Sequence, residues 1–301
     1  MSTGVPAICM DGLANAIFNL TVQCERWQTA KTKAGNFTHR DEGIPAYKLK
    51  YKRGKKPMKL TILGNNGPFP AAGGACSGYL ITEGEHKLLI DCGNGVLSNL
   101  QKYTRFEDLD AIILTHLHSD HMSDMMVLRY AVDIKMKRGL MSKPIKVYAP
   151  DQPMDEYERL NIKNVFDLAS IDSNTVLNIG GMRLSFAEMK HPVKCFAVSI
   201  ESKGKRFVFS GDTSWTENIV RFAENADLLM LDAGLLSRDK KDENVPHLTA
   251  RECGIVAMKS GAKRLLLTHF WPDYDTNELL AEAAEEYPKA EIAKLLAEYD
   301  V

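Results

Sequence analysis

The chain has 301 residues, of which 45% are apolar, and a formal net charge of −1. That length suits one large domain, or one domain with an appendage, and the apolar share suffices for a substantial core. The balanced charge argues against a globally basic nucleic-acid binder, and no apolar run approaches the roughly 18 residues that span a bilayer.

In chain order, no basic region precedes the weakly apolar Leu13-Ala14-Asn15-Ala16-Ile17-Phe18, so no signal peptide is expected. The run Tyr47-Lys48-Leu49-Lys50-Tyr51-Lys52-Arg53-Gly54-Lys55-Lys56 interleaves aromatic and basic residues. Such a run can touch nucleic-acid phosphates and bases, but it is more often a solvated linker or a lysine-guarded edge strand. Residues 1–57 read as an N-terminal extension and residues 58–301 as the functional domain. At Met58 the texture changes. Lys59 to Leu63 is strand-like, Gly64 to Pro68 makes a turn, and a small-residue loop runs from Ala71 to Ser77. A hairpin through Glu83-Gly84-Glu85 joins strands at 78–82 and 87–90 and closes on Asp91.

A short helix over 96–102 leads to Ala111-Ile112-Ile113-Leu114, which reads as a buried strand. Ser123 is the expected N-cap of a helix through Arg138, with Met125, Met126, Tyr130, Val132 and Ile134 as its apolar contacts. A strand at 144–149 and an irregular helical region at 154–166 precede two strand pairs, 175–179 with 182–189 and 196–201 with 205–210. The last third alternates: helix 217–225, strand 228–231, loop 233–248, helix 249–260, strand 264–267 and helix 277–287. Residues 290–301 fit helix or strand equally. The six cysteines are scattered without a Cys-x-x-Cys pair, which suggests a reducing compartment and makes cytoplasm the expected location.

Straight after the buried strand comes His116-Leu117-His118-Ser119-Asp120-His121. Imidazoles and a carboxylate packed this closely would repel on protonation and be costly to desolvate. A divalent metal resolves the conflict, because neutral imidazole and ionised carboxylate are zinc donors. His191, Asp212 and His269 each follow an apolar strand in the same way. One strand-end histidine alone is more often structural than a ligand; three further candidates repeating the pattern change that balance. His116, His118 and His191 can form one ligand face, and Asp120, His121 and His269 a second, with Asp212 bridging two cations. Each metal then keeps an open position for a shared water or hydroxide, the arrangement for hydrolysis at neutral pH. Asp91 is either a turn-forming residue or a carboxylate orienting a metal-bound imidazole. Asn65, Ser77 and Thr213 lie in loops that could reach a substrate.

The set Asp91, His116-x-His118-x-Asp120-His121, His191, Asp212 and His269 resembles the metallo-β-lactamase superfamily over about residues 58–301. The resemblance implies an α+β fold: an αββα four-layer sandwich of two facing mixed β-sheets flanked by helices, with a dinuclear metal site at one edge. It implies two divalent ions, zinc first, with manganese or iron as alternatives. Pro246-His247-Leu248-Thr249-Ala250 resembles the histidine motif of the ribonuclease Z-like phosphodiesterase branch. There the residue matching His247 meets the scissile phosphate as acid or clamp. By the same resemblance a metal-bridging hydroxide is the nucleophile, and Asp120 holds a metal and can accept the nucleophile's proton. Only residues 192–211 separate His191 from Asp212, too few for the protruding arm of tRNA-processing members. The expectation is therefore a phosphodiesterase for a small phosphodiester such as a cyclic nucleotide, similar to short bacterial hydrolases and phage enzymes, with no membrane partner and a homodimeric assembly. The alternatives are a lactonase or other carbonyl hydrolase on the same site, or an RNA 3′-end endonuclease, which the basic segment Lys48 to Lys56 keeps open.

Overall fold

A computed structural model describes residues 57–301. The expected extension over 1–57, including the segments 13–18 and 47–56, lies outside the described residues apart from Pro57.

Among the described residues, fourteen strands form two seven-stranded sheets. The first takes β1 (Lys59–Gly64), β2 (Gly78–Glu83), β3 (His86–Ile90), β4 (Ala111–Ile113), β5 (Ile145–Ala149), β6 (Phe166–Ser170) and β14 (Glu298–Asp300), in the order β14-β1-β2-β3-β4-β5-β6. The second takes β7 (Val176–Ile179), β8 (Met182–Glu188), β9 (Phe196–Ser202), β10 (Lys205–Phe209), β11 (Leu228–Asp232), β12 (Leu265–Thr268) and β13 (Ala290–Ile292), in the order β13-β12-β11-β10-β9-β8-β7. Each sheet is mixed: β3 to β6 and β10 to β13 run parallel, and the remaining pairs are antiparallel.

The apolar runs explain the layering. A strand covered on both faces needs apolar residues at every position rather than at alternate ones. In β11, Leu228 and Met230 point into the layer between the sheets, while Leu229 and Leu231 point out towards helices. In β2, Tyr79 and Ile81 face inward and Leu80 outward. Outside the first sheet lie α1 (Val96–Leu100) and α3 (Met125–Lys137), whose Leu100, Leu128 and Val132 cover Leu80, Leu89 and Ile112. Outside the second lie α5 (Glu217–Phe222), α6 (Ala250–Ser260) and α7 (Thr276–Ala284), with Ile219, Val256 and Leu279 against Val208, Leu229 and Leu265. Each such buried Leu, Ile or Val contributes about 1.5–3 kcal/mol relative to exposure. The result is the expected αββα sandwich.

Three local expectations are corrected. The helix after the histidine cluster is interrupted: a single turn, α2 (Ser119–Met122), precedes α3, and Asp124 rather than Ser123 is the N-cap. Asp124 is held by its neighbours, for its N–H donates to Cys92 O and its carboxylate accepts from Leu97 N–H. Tyr130 and Ile134 are exposed, because Met125, Leu128 and Val132 form the stripe that α3 buries. The region 154–166 is helical only to Leu160 as α4 (Met154–Leu160), and Phe166 opens β6. Residues 290–301 are two short strands, one in each sheet. Among the described residues no helix is long and apolar enough to cross a membrane.

One buried carboxylate ties several elements together. Asp227, at the start of β11, accepts from Lys263 Nζ at 2.8 Å, Lys205 Nζ at 3.2 Å and Arg206 N–H at 2.9 Å. Burial alone would raise its pKa, but these donors hold it below the ordinary value. Asp227→Asn is expected to cost about 1–3 kcal/mol at pH 7, read by urea unfolding. Because the folded-state pKa is the lowered one, the contribution is complete above the ordinary carboxylate pKa. It fades as the pH falls from there through the lowered value. Wild type and variant should therefore converge in acid; a gap that widens there would refute the assignment.

Candidate metal centre

Strand direction brings the candidate residues to one edge. β3 and β4 are parallel, so Asp91 and the segment Thr115–His116 leave the first sheet on the same side. In the second sheet β8 runs with β10, since both are antiparallel to β9, and β10, β11 and β12 are parallel. His191, Asp212, Asp232 and His269 therefore emerge together. Asp91 (φ 56) and His269 (φ 59) both adopt left-handed backbone. For a non-glycine residue this costs about 1–2 kcal/mol, held in place here by the packing around the site. Gly93 sits where a Cβ would come within 1.9 Å of Asp120 O, so only glycine lets the two loops close on each other.

The structure brings together every histidine and aspartate expected at the centre. His118 Nδ1 and His191 Nε2 lie 3.1 Å apart, with His116 completing a group of three nitrogen donors. Asp120, His121, Asp212 and His269 form a second group. His269 Nε2 is 3.2 Å from Asp120 Oδ2 and 3.3 Å from Asp212 Oδ2. Asp212 stands between the groups: its Oδ1 is 3.3 Å from His121 Nε2, and its Oδ2 is 3.8 Å from His116 Nε2.

These residues fit divalent cations. His116 Nε2, His121 Nε2 and Asp212 Oδ1 are buried without a hydrogen-bond partner. An orphaned buried polar atom costs about 1–3 kcal/mol, and cations held by the two donor groups would satisfy all three. Nitrogen and carboxylate oxygen donors without thiolate suit zinc and also manganese or iron. Cys195 approaches His116, but at Nδ1 (3.6 Å), the ring nitrogen opposite Nε2 and the one Thr115 Oγ1 also meets at 3.1 Å.

Electrostatics divides the histidines. Burial, the largest effect, holds His116, His118 and His191 below the ordinary imidazole value and so neutral, as coordination requires. Burial opposes protonation of His121 and His269 too, but Asp212 and the other aspartates beside them raise both well above it. Burial would likewise push Asp212 up, yet His269, His121 and His116 keep it well below the usual carboxylate range. A cation placed here takes over the charge that those protons supply.

Asp91 is placed where either of its two readings can apply. It makes the left-handed turn after β3, and its carboxylate lies 2.8 Å from His121 Nδ1 while accepting from Thr115 N–H (2.8 Å) and the Thr115 hydroxyl. An ionised carboxylate only accepts, so it keeps the His121 proton on Nδ1 and leaves Nε2 as donor to the centre. The loop candidates fare differently. Asn65 spends its amide on Ala293 O, Thr213 donates to Ser214 O and accepts from Lys190 N–H, and Ser77 is buried.

Asp232 is the residue that sequence reasoning passed over. It closes β11, fully buried, with Oδ2 2.9 Å from His247 Nδ1 and Oδ1 3.4 Å from His269 Nδ1. It also accepts from Gly234 N–H and Thr213 N–H. Asp212, Asp232, His247 and His269 could together hold an ion. Asp232 already accepts from His247 Nδ1, Gly234 N–H and Thr213 N–H, however, which favours an orienting role over that of a ligand. His247 sits just before α6, whose start is fixed by a reciprocal cap between Thr249 and Glu252. Its ring stacks 5.2 Å from His269 and lies 5.9 Å from His191, and its side chain is 23% exposed. Like His118 and His191, it lies partly exposed at this edge, beside the donor cluster.

A family model described as a beta-lactamase superfamily domain matches residues 86–270. The chain is similar to the probable metallo-hydrolase YhfI of Bacillus subtilis (strain 168), 32% identical over 228 residues, which covers 76% of this chain and 93% of that protein. The crystal structure of YhfI, described as a metallo-β-lactamase-fold protein, matches with a TM-score of 0.78 at 33% identity over 82% of this chain and 100% of that one. A ribonuclease Z of Brevibacillus brevis is 25% identical over 279 residues, covering 71% of this chain and 86% of that protein.

Proposed function

This chain belongs to the beta-lactamase superfamily, a superfamily of metal-dependent hydrolases, and from that premise we propose that it is a phosphodiesterase acting on a small phosphodiester such as a cyclic nucleotide. The observation that carries the step from hydrolase to phosphodiesterase is the pair His247–Asp232 beside the donor cluster. A carbonyl hydrolase has less use for a second, solvent-facing imidazole there, whereas a phosphodiester needs a cation or proton donor as its leaving oxygen gains charge. Similarity to a ribonuclease Z supports the same bond chemistry.

In this reading His116, His118 and His191 hold one divalent ion, zinc by donor preference, and Asp120, His121 and His269 a second, with Asp212 between them. Ions bound there supply an activated water at neutral pH and draw charge off the phosphate oxygens. Asp120 accepts the proton given up by the nucleophile. Asp91 fixes the ring orientation of His121, and Asp232 that of His247. Asp232, accepting from His247 Nδ1, stabilises the imidazolium form of that ring, whose Nε2–H can then be given to the departing oxygen.

The test is a turnover panel with the full-length chain. It sets 2′,3′- and 3′,5′-cyclic nucleotides beside a lactone and a precursor tRNA, each for wild type and His247→Ala. Cyclic-nucleotide hydrolysis falling about a hundredfold in the variant is expected, since positioned general acids contribute roughly 10²–10⁴. Hydrolysis of the lactone alone, or phosphodiester turnover unchanged by His247→Ala, overturns the assignment. Cleavage of the tRNA alone moves it to RNA processing.

A further inference from the structure

At the rim of the metal centre two large aromatic side chains stand in solvent. Phe69 is 42% exposed and Trp271 39%, and their rings meet edge to face with centroids 5.4 Å apart at 82°. Neither belongs to an apolar cluster of the core. Surface exposure of both a Phe and a Trp is unfavourable on its own account, and nothing in the metal chemistry uses them.

Their placement ties them to the centre. Trp271 follows the candidate ligand His269 by two residues. The loop bearing Phe69 is laced to the same strand end: Phe270 N–H donates to Asn65 O at 2.8 Å, Gly67 N–H donates to Phe270 O at 3.1 Å, and Asn66 Nδ2 reaches the same carbonyl at 3.3 Å. Gly67 passes so close that a Cβ would fall 2.0 Å from His269 Nε2. Phe69 is thus two residues from one point of contact with His269, and Trp271 two residues from His269 itself. Two residues reach at most about 7 Å, which is the scale of a single nucleotide.

The pair is also stiff. Phe69 lies between Pro68 and Pro70, and Trp271 precedes Pro272. Proline fixes its own φ and restricts the residue before it, so the backbone carrying both rings has little freedom left to lose. Trp271 Nε1 donates to Asp273 Oδ2 at 3.2 Å, which anchors one edge of the indole. A rigid, exposed aromatic surface beside a phosphoryl site is the form of a base-stacking platform, because every nucleobase offers a π-face and the platform has already lost its entropy.

We infer that Phe69 and Trp271 bind the nucleobase of the substrate, so that the phosphodiester this site takes carries a planar aromatic base. The inference rests on the phosphodiesterase reading for its ligand class. The test compares 3′,5′-cyclic AMP with glycerol 1,2-cyclic phosphate, which has no aromatic base, using wild type, Trp271→Ala, Trp271→Phe and Phe69→Ala of the full chain. Binding of AMP is measured alongside by equilibrium dialysis. Trp271→Ala should lower kcat/KM for cyclic AMP about tenfold more than for the glycerol compound, the ratio expected from losing one stacked base. AMP binding should weaken in parallel, and Trp271→Phe should restore most of both. Equal losses on the two substrates would mark a structural role and overturn the inference. So would AMP binding that is unchanged in both alanine variants. If neither compound is turned over, the phosphodiesterase reading fails, and AMP binding still decides the platform.

Discussion

Asp212→Asn should reduce kcat/KM on any substrate of this site by about three orders of magnitude, equivalent to roughly 4 kcal/mol of transition-state stabilisation. The substitution keeps shape and removes charge. Asp212 is the group within reach of both donor clusters, with one oxygen near His121 and the other near His116 and His269. An amide there offers a single neutral oxygen and an NH₂ that points a proton at whatever stands opposite. The metal-to-protein ratio, measured on dialysed protein, should fall together with turnover. Full activity at full metal content in the variant would remove Asp212 from the centre. Near-wild-type circular dichroism with lost metal is the expected companion result, since the fold is held by three apolar layers away from this edge.

Asp232→Asn should cost on the order of a hundredfold or more in kcat, by analogy with other imidazoles deprived of their orienting carboxylate. The carboxylate can only accept, which keeps the His247 proton on Nδ1. A neutral amide no longer stabilises the imidazolium that serves as the proton donor, and its NH₂, turned towards Nδ1, favours the neutral ring. The loss should depend on the leaving group. A cyclic nucleotide releases an alkoxide that needs a proton, whereas an aryl phosphodiester releases a stable phenolate that does not. The Asp232→Asn and His247→Ala deficits should therefore shrink sharply on bis(p-nitrophenyl) phosphate. A deficit of the same size on both substrates would eliminate proton donation and leave His247 as a fixed positive contact.

Most of the centre was readable because its residues interrupt runs of apolar ones. His116 after Ile112-Ile113-Leu114, Asp212 after Phe207-Val208-Phe209 and His269 after Leu265-Leu266-Leu267 are abrupt changes of chemistry at strand ends. Asp232 shows the same change after Leu228-Leu229-Met230-Leu231. It was missed because no known ligand motif ends there, although the strand-end rule alone would have flagged it. Asp91 could not be decided from sequence, since a turn and an orienting carboxylate call for the same residue at the same place; the structure shows a left-handed turn and a carboxylate 2.8 Å from His121 Nδ1. On α3 the pattern is degenerate. Val127, Tyr130 and Ile134 repeat the spacing of Met125, Leu128 and Val132, and only the sheet beneath the helix decides which stripe is covered. Residues 290–301 defied assignment because three-residue strands carry no period, and their conformation comes entirely from partners far away in the chain.

Those last strands have a consequence for biosynthesis. β13 completes the second sheet, and after residues 293–297 the chain crosses to lay β14 along β1, at the opposite end of the described sequence. Lys59 pairs with Asp300, Val301 N–H reaches Met58 O, and Arg264 at the start of β12 holds Asp300 O. Until the ribosome releases residues 298–300, β1 presents an unsatisfied row of backbone groups flanked by Leu60 and Ile62, the kind of border that recruits strands from other molecules. β1 therefore stays open along this edge until residues 298–300 are made, and β14, held to β12 through Arg264, then closes it.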